Sequence, residues 1–240
     1  MTVAGGRGSP RVWGPLAALA LTGLVWLVFN LLTFAIALLF LHFDWVGAGS
    51  GRLATNGLFL AVCTLINAVI GIGLISLMIH WRGGMPIRDY LAIAKPQTRH
   101  LLLWLIILAL FVLTSEGLGY LLERPVVPEF MIEAYSTAAV PVLLWLALIV
   151  AAPVFEETLF RGFLQGSLQE SGSHAGLMLL LPAAVWAAIH LQYDYYDMIW
   201  VFLFGLLLGL ARWHTGSLFV PIIMHMLVNL LATLVTALIL

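Results

Sequence analysis

Two adjacent carboxylates, Glu156 and Glu157, stand inside otherwise apolar sequence, Val154-Phe155-Glu156-Glu157-Thr158-Leu159-Phe160-Arg161-Gly162. The run from Val140 to Phe155 that leads into them carries no charge. A charge at the centre of a membrane helix costs roughly 2.5–3.5 kcal/mol on insertion scales, so residues kept there usually have a task. On a helix Glu157 and Arg161 stand at i and i+4 with the acid N-terminal, the favourable order for an ion pair. Glu156 is rotated from Glu157 by about 100° and faces elsewhere. One carboxylate can be neutralised structurally while the other stays available for chemistry.

Further polar groups follow downstream. His190 ends the apolar run Leu177 to Ile189, and His225 and Asn229 lie in the last one, where their i, i+4 spacing puts them on one helix face. The midpoint between Glu156 and His190 falls at Ser173, within the turn signal Ser171-Gly172-Ser173. A helical hairpin folded there sets the two side chains at one level on antiparallel neighbours. His225 follows the turn residue Gly216 by about 13–14 Å of helix, a similar depth. A Glu, two His and an Asn in a protected site suit acid/base work on a carbonyl. A carboxylate removed from water is a better base, so Glu156 can take a proton from water while a histidine orients that water or shares the proton. Asn229 and His225 can donate hydrogen bonds to the oxyanion that forms when water attacks an amide. The expected reaction class is peptide-bond hydrolysis.

The elements that must position these groups are membrane helices. Of 240 residues 63% are hydrophobic and 9% charged, against roughly 45–50% apolar and about 25% charged in soluble domains. A soluble domain is excluded. Apolar runs near 13–41, 54–80, 100–122, 139–160, 176–192, 197–213 and 217–239 predict an all-α polytopic bundle of about seven transmembrane helices, since about 20 residues cross a hydrocarbon core. The runs are continuous rather than alternating, which argues against a barrel. The first run is too long for a signal-peptide core and reads as a retained span.

The basic residues set an orientation. With a cytoplasmic N-terminus, Arg7, Arg11, Arg82, Arg88, Lys95, Arg99, Arg161 and Arg212 fall inside, and only Arg52 and Arg124 fall outside. Asp44, Glu123, Glu129, Glu133, Asp194 and Asp197 gather on the outer side. The fourth helix is expected to project into the cytoplasm through Arg161, Gln165 and Gln169. Residues 83–96 read as a short helix in the cytoplasmic interface, and an interfacial turn is expected around Phe130 to Tyr135. Residues 1–138 read as scaffold and residues 139–240 as the catalytic part of one integrated membrane domain.

Other polar residues have ordinary explanations. His42, His80, His100, His174 and His214 sit at predicted span ends, where a partly hydrated imidazole is tolerated, and Glu116 reads as interfacial or packing. The net charge of −1 offers no nucleic-acid footprint, and the single cysteine, Cys63, permits neither a disulfide nor a thiolate metal site and reads as packing.

Glu156-Glu157-x-x-x-Arg161, Trp186-x-x-x-His190 and His225-x-x-x-Asn229 after Thr215-Gly216-Ser217 together resemble the three motifs of the CPBP family, which holds type II CAAX prenyl endopeptidases and bacteriocin-processing or immunity (Abi-like) proteins. The resemblance covers about residues 139–240. It departs at Trp186, where the family usually shows Phe. It implies an intramembrane endopeptidase in which Glu156 and His190 activate water, His225 and Asn229 form the oxyanion site, and Glu157 and Arg161 support it. It also brings a rival assignment of Glu156, His190 and His225 as zinc ligands, chemically reasonable for a site with an open position. The metal-free glutamate mechanism, with no cofactor, is the preferred reading. The Zn-protease His-Glu-x-x-His helix, the aspartyl Gly-x-Gly-Asp and a rhomboid-like Gly-x-Ser-Gly are absent from the sequence.

The expected partners are membrane lipid and a membrane-associated peptide or protein, prenylated or not, which the stretch from Met85 to Ile93 could receive. The composition suggests a prokaryotic cell membrane. The competing class is a non-catalytic immunity or peptide-binding protein using the same polar pocket, and a third reading has the polar residues merely joining helices. Apolar surfaces facing lipid and protein alike set no oligomeric state.

Overall fold

The computed structural model describes residues 12–45 and 53–240. Arg7, Arg11 and Arg52, used in the charge argument, lie outside the described residues. Besides a 3-10 turn at Leu53–Thr55, nine helices occur among the described residues: α1 (Pro15–His42), α2 (Gly57–Arg82), α3 (Ile87–Tyr90), α4 (Thr98–Leu121), α5 (Glu129–Ser136), α6 (Pro141–Glu170), α7 (Ala175–Ala188), α8 (Tyr195–Thr215) and α9 (Phe219–Ile239). No strand occurs among them, so the all-α class is borne out.

Six helices, α1, α2, α4, α6, α8 and α9, are long and apolar enough to cross a membrane. The seventh expected span, 176–192, is a correction in length. Helix α7 has 14 residues, about 21 Å at 1.5 Å per residue, short of a core of about 30 Å. Its apolar run invited extension to Gln192, but the chain turns after Ala188. Asp194 then caps α8 by accepting a hydrogen bond from the Asp197 amide at 3.0 Å.

Helix α6 is the central element, packed against α1, α2, α7, α8 and α9. Large apolar side chains such as Leu31, Phe34, Val69 and Leu113 remain exposed, as a helix facing lipid requires. One end of the bundle is tied by Trp13 Nε1 donating to Met78 O at 3.2 Å, by the Tyr90–Ser167 hydroxyl pair at 2.6 Å and by Leu218 N donating to Ala92 O at 2.9 Å. The expected interfacial helix is the single turn α3 at this end. At the opposite end Arg124 pairs with Asp194, and the Asp197 amide followed by Arg124 holds the Asp194 carboxyl below its usual range. Helix α5 is the expected turn around Phe130 to Tyr135.

Helix α6 is not uniform. Leu146–Ala151 and Thr158–Leu164 are wide π-type turns on either side of the α-helical Ala152–Glu157. Such turns recur at functional sites. The first has a local cause. In the wide register Ala152 N donates to Ala147 O, so the carbonyl of Leu148 would take its hydrogen from residue 153. That residue is Pro153, which has none. The orphan carbonyl is satisfied from α9 instead, by Asn229 Nδ2 at 2.7 Å.

The expectation that α6 projects into water through Arg161 and Gln165 is also corrected. Both are buried, and only from Gln169 onward does the helix become exposed. Arg161 Nη2 donates to Gly205 O and Gln165 Nε2 to Gly209 O, each at 2.9 Å. Glycines four apart on α8 let that helix approach closely enough for side chains of α6 to reach its backbone. A charge near a span end, counted as cytoplasmic from sequence, is in fact a helix-to-helix tie.

Helix α5 is seated on the start of α2. A Cβ on Gly57 would lie 2.0 Å from the Ala134 carbonyl oxygen, whereas one on Gly73 meets nothing within 4 Å. Gly57→Ala is therefore expected to destabilise the protein by about 1–3 kcal/mol through overpacking against backbone. Gly73→Ala should be neutral or slightly stabilising, because Ala is the better helix former. Thermal unfolding of the two variants in detergent checks the pair.

Candidate active site

The polar residues of α6 to α9 meet around one indole. Glu157 and Arg161 are both fully buried and joined at 2.9 Å, Oε1 to Nη1. The same Oε1 lies 2.9 Å from His225 Nδ1. An ionised carboxylate only accepts, so Nδ1 of His225 carries the hydrogen, and in the neutral ring Nε2 is left as an acceptor. Arg161 lies with Cζ 4.6 Å from the centre of the Trp186 ring. Its charge is thus met by a carboxylate, a backbone carbonyl and an aromatic face.

Glu156, one residue earlier, points to the other side. Its Oε2 accepts from Trp186 Nε1 at 2.6 Å. His190 sits just past the end of α7, where its Nδ1 lies 2.7 Å from Trp186 O. A carbonyl only accepts, so His190 also carries its hydrogen on Nδ1 and presents Nε2 as an acceptor. The rings of His190 and Tyr193 are parallel, with centres 6.0 Å apart. Burial, with the charges of Glu156 and Asp197, pushes the Tyr193 hydroxyl up to about 12, so it remains a neutral hydroxyl at ordinary pH.

Glu156 and His190 line one cavity of about 280 Å³ together with Trp26 and Phe29 of α1, Phe130 of α5, Phe155 and Phe160 of α6, and Gln192. The hairpin argument from sequence thus places these two side chains together correctly. The larger cavity of about 810 Å³, around Glu116, Arg124 and Tyr196, touches neither. His225 and Asn229 do not line the smaller cavity. His225 stands edge-on to Trp186, centres 5.4 Å apart, and reaches Glu157. Asn229 closes the Leu148 carbonyl, which commits one of its two amide hydrogens. The six expected residues therefore form a cavity-lining pair, Glu156 and His190, and a support of buried Glu157, Arg161 and His225 with half-buried Asn229. As for the zinc alternative, no three His, Cys, Asp or Glu side chains among the described residues gather closely enough to hold a metal ion. Glu156, His190 and His225 as arranged do not fit that role.

From sequence alone Trp186 reads only as the position that departs from the family's Phe. The signal that it does more is its indole N–H, a donor buried in apolar sequence that requires an acceptor.

Fold and site together define an integral, polytopic helical membrane protein with a buried acid–histidine centre carried by its last four helices. Residues 138–231 match the family described as type II CAAX prenyl endopeptidase Rce1-like. The CPBP resemblance read from the three motifs is thereby borne out. Over 113 residues the chain is 32% identical to an Escherichia coli protein named "Uncharacterized 24.3 kDa protein", covering 45% of this chain and 52% of the relative. Over 97 residues it is 34% identical to "Uncharacterized protein YpbD" of Bacillus subtilis (strain 168), covering 40% of this chain and 46% of the relative. The chain thus spans about half the length of the curated relatives it matches. No solved structure matches it.

Removing one partner of a buried ion pair leaves the other uncompensated, at a cost of about 3–5 kcal/mol. Arg161→Ala is expected to lower stability by that order, and Arg161→Lys to restore little, because an ammonium cannot reproduce the planar fork that spans Glu157 and Gly205. Glu156→Gln should leave stability nearly unchanged. Thermal unfolding in detergent separates the three.

Proposed function

We propose that the protein is an intramembrane endopeptidase that hydrolyses a peptide bond with a glutamate-activated water and no metal. The observation that carries this reading is the pairing of Glu156 with His190 on one aromatic-walled cavity. Glu156 Oε2 is already held by Trp186, which leaves Oε1 to take a proton from water. Nε2 of His190, an acceptor in the neutral ring, takes a hydrogen bond from the same water and orients it. The hydroxide bonds to the carbonyl carbon and the electron pair of C=O moves to oxygen. When the tetrahedral intermediate collapses, the C–N bond breaks and the proton on Glu156 passes to the departing amine.

Of the oxyanion donors expected from sequence, Asn229 retains one uncommitted amide hydrogen, and His225 donates from Nε2 only as an imidazolium, with Glu157 as counter-ion. Catalysis by water alone at a buried carboxylate depends on excluding bulk solvent, which the ring of Trp26, Phe29, Phe130, Phe155 and Phe160 favours. The substrate class is a membrane-associated peptide, either prenylated near its C-terminus or an unmodified signal-like or pheromone-like peptide. We further propose a prokaryotic cell-membrane location with the N-terminus cytoplasmic. This rests on the basic end that holds Arg82, Arg88, Lys95, Arg99 and Arg212 among the described residues.

Purified protein should cleave one of two probes, a C-terminally prenylated peptide or a short unmodified one, with equal rates in the presence and absence of a strong chelator. Glu156→Gln should lose about 10²–10⁴-fold in kcat with its fold intact, and His190→Ala should fall with it. Inhibition by chelator that zinc reverses would overturn the metal-free mechanism. Unchanged cleavage by Glu156→Gln would overturn the hydrolase reading, and binding of a probe without cleavage would favour the peptide-binding alternative.

A further inference from the structure

Trp186 is 2% exposed and touches Glu156, Arg161, His190 and His225 through either its ring or its main chain. Two of these contacts are hydrogen bonds to the pair proposed to handle water. The indole N–H donates to Glu156 Oε2 at 2.6 Å, and the carbonyl accepts from His190 Nδ1 at 2.7 Å. One residue therefore sets the rotamer of the acid through its side chain and the ring orientation of the histidine through its backbone. Phe at this position would preserve the ring contacts with Arg161, His190, Phe204 and His225 and the backbone bond to His190. It would remove the donor to Glu156 together with the five-membered ring that carries it.

We infer that Trp186 is a positioning residue for Glu156, its indole N–H fixing one carboxylate oxygen so that the other meets water. The inference rests on the proposed hydrolase reading. A hydrogen bond donated to a carboxylate favours its charged form, and bonds to charged groups are the stronger class. The ionisable groups around Glu156 are Glu157 and Arg161 on its own helix, His190 and Tyr193 beyond α7, and His225 on α9 behind the indole. From α1 and α5 only apolar rings, Trp26, Phe29 and Phe130, face the cavity. Trp186→Phe leaves all these charges where they are, so a change in the pH dependence of the rate would report the lost N–H.

The test is steady-state kinetics of Trp186→Phe against pH, with Glu156→Gln as reference. The expected result is a kcat lower by about 10- to 100-fold, KM within about twofold, an unfolding temperature still well above that of the assay, and an acidic limb of the pH–rate profile that differs from the wild type's. An unchanged kcat and acidic limb would overturn the inference, as would a loss of rate that only follows a lowered unfolding temperature. A second measurement does not depend on the variant folding or on turnover. In wild-type protein with ¹⁵N-labelled indoles, one Trp side-chain N–H resonance should lie strongly downfield and move upfield in Glu156→Gln. If no indole resonance responds, the contact does not hold Glu156. A shifted resonance in a protein that cleaves neither probe would instead overturn the hydrolase reading while leaving the contact in place.

Discussion

The pair Glu157–Arg161, wholly removed from solvent, is the constraint on which the rest of the site depends. Taking two charges out of water costs several kcal/mol per ion even after relaxation, and their mutual attraction offsets this only when the remaining donors and acceptors find partners. Three other helices supply part of what is needed, while Glu157 Oε2 and Arg161 Nε have no hydrogen-bond partner among the described residues. Gly205 of α8 supplies a carbonyl, Trp186 of α7 an aromatic face and His225 of α9 a ring N–H. Helices α6 to α9 must therefore dock in one register for the pair to be tolerated at all. In lipid, where apolar surface drives no association, such a polar knot is also a means of specifying which helices meet.

The second constraint is the irregularity of α6. Pro153 removes one backbone donor, the wide turn before it shifts the hydrogen-bond register, and the Leu148 carbonyl is left for Asn229 to satisfy. A straight α-helix would offer Asn229 no such acceptor. The pairings Glu157 with His225 and Leu148 with Asn229 run in opposite directions along two antiparallel helices, so α9 is fixed at two levels. Fixing it twice restrains both its rotation and its sliding. The His225-x-x-x-Asn229 motif is thus an anchoring motif, and a substitution in it alters the frame of the site.

Much of this was legible in the sequence because charge is so scarce. The i, i+4 relation of Glu157 to Arg161 and of His225 to Asn229 needs only helical periodicity, and the symmetric placement of Glu156 and His190 about Ser173 needs only a hairpin. What sequence could not supply were contacts that depend on departures from regularity. The wide turns of α6 lie outside a 3.6-residue reading. The early end of α7 was hidden because Leu191 continues an apolar run after the helix has stopped. Arg161 looked interfacial because hydropathy scores a charge by its cost and not by the three partners waiting for it. The role of Trp186 was hidden by its ring, since packing alone accounts for a buried indole until its acceptor is seen.

Two carboxylates in succession could have destroyed each other's usefulness. Side by side in a low dielectric they repel, and each would compete for the one guanidinium nearby. The helix resolves this by direction. Glu157 turns inward, where Arg161 and His225 share its charge, and Glu156 turns toward the cavity, where a neutral N–H is its one hydrogen-bond donor among the described residues. A carboxylate locked to a guanidinium is a poor proton acceptor, whereas one steadied by a single neutral donor is held less strongly in its charged form. The neighbouring acid therefore has a purpose beyond structure. By occupying Arg161 it keeps the cation from Glu156, which leaves that carboxylate for the proton transfer proposed for it.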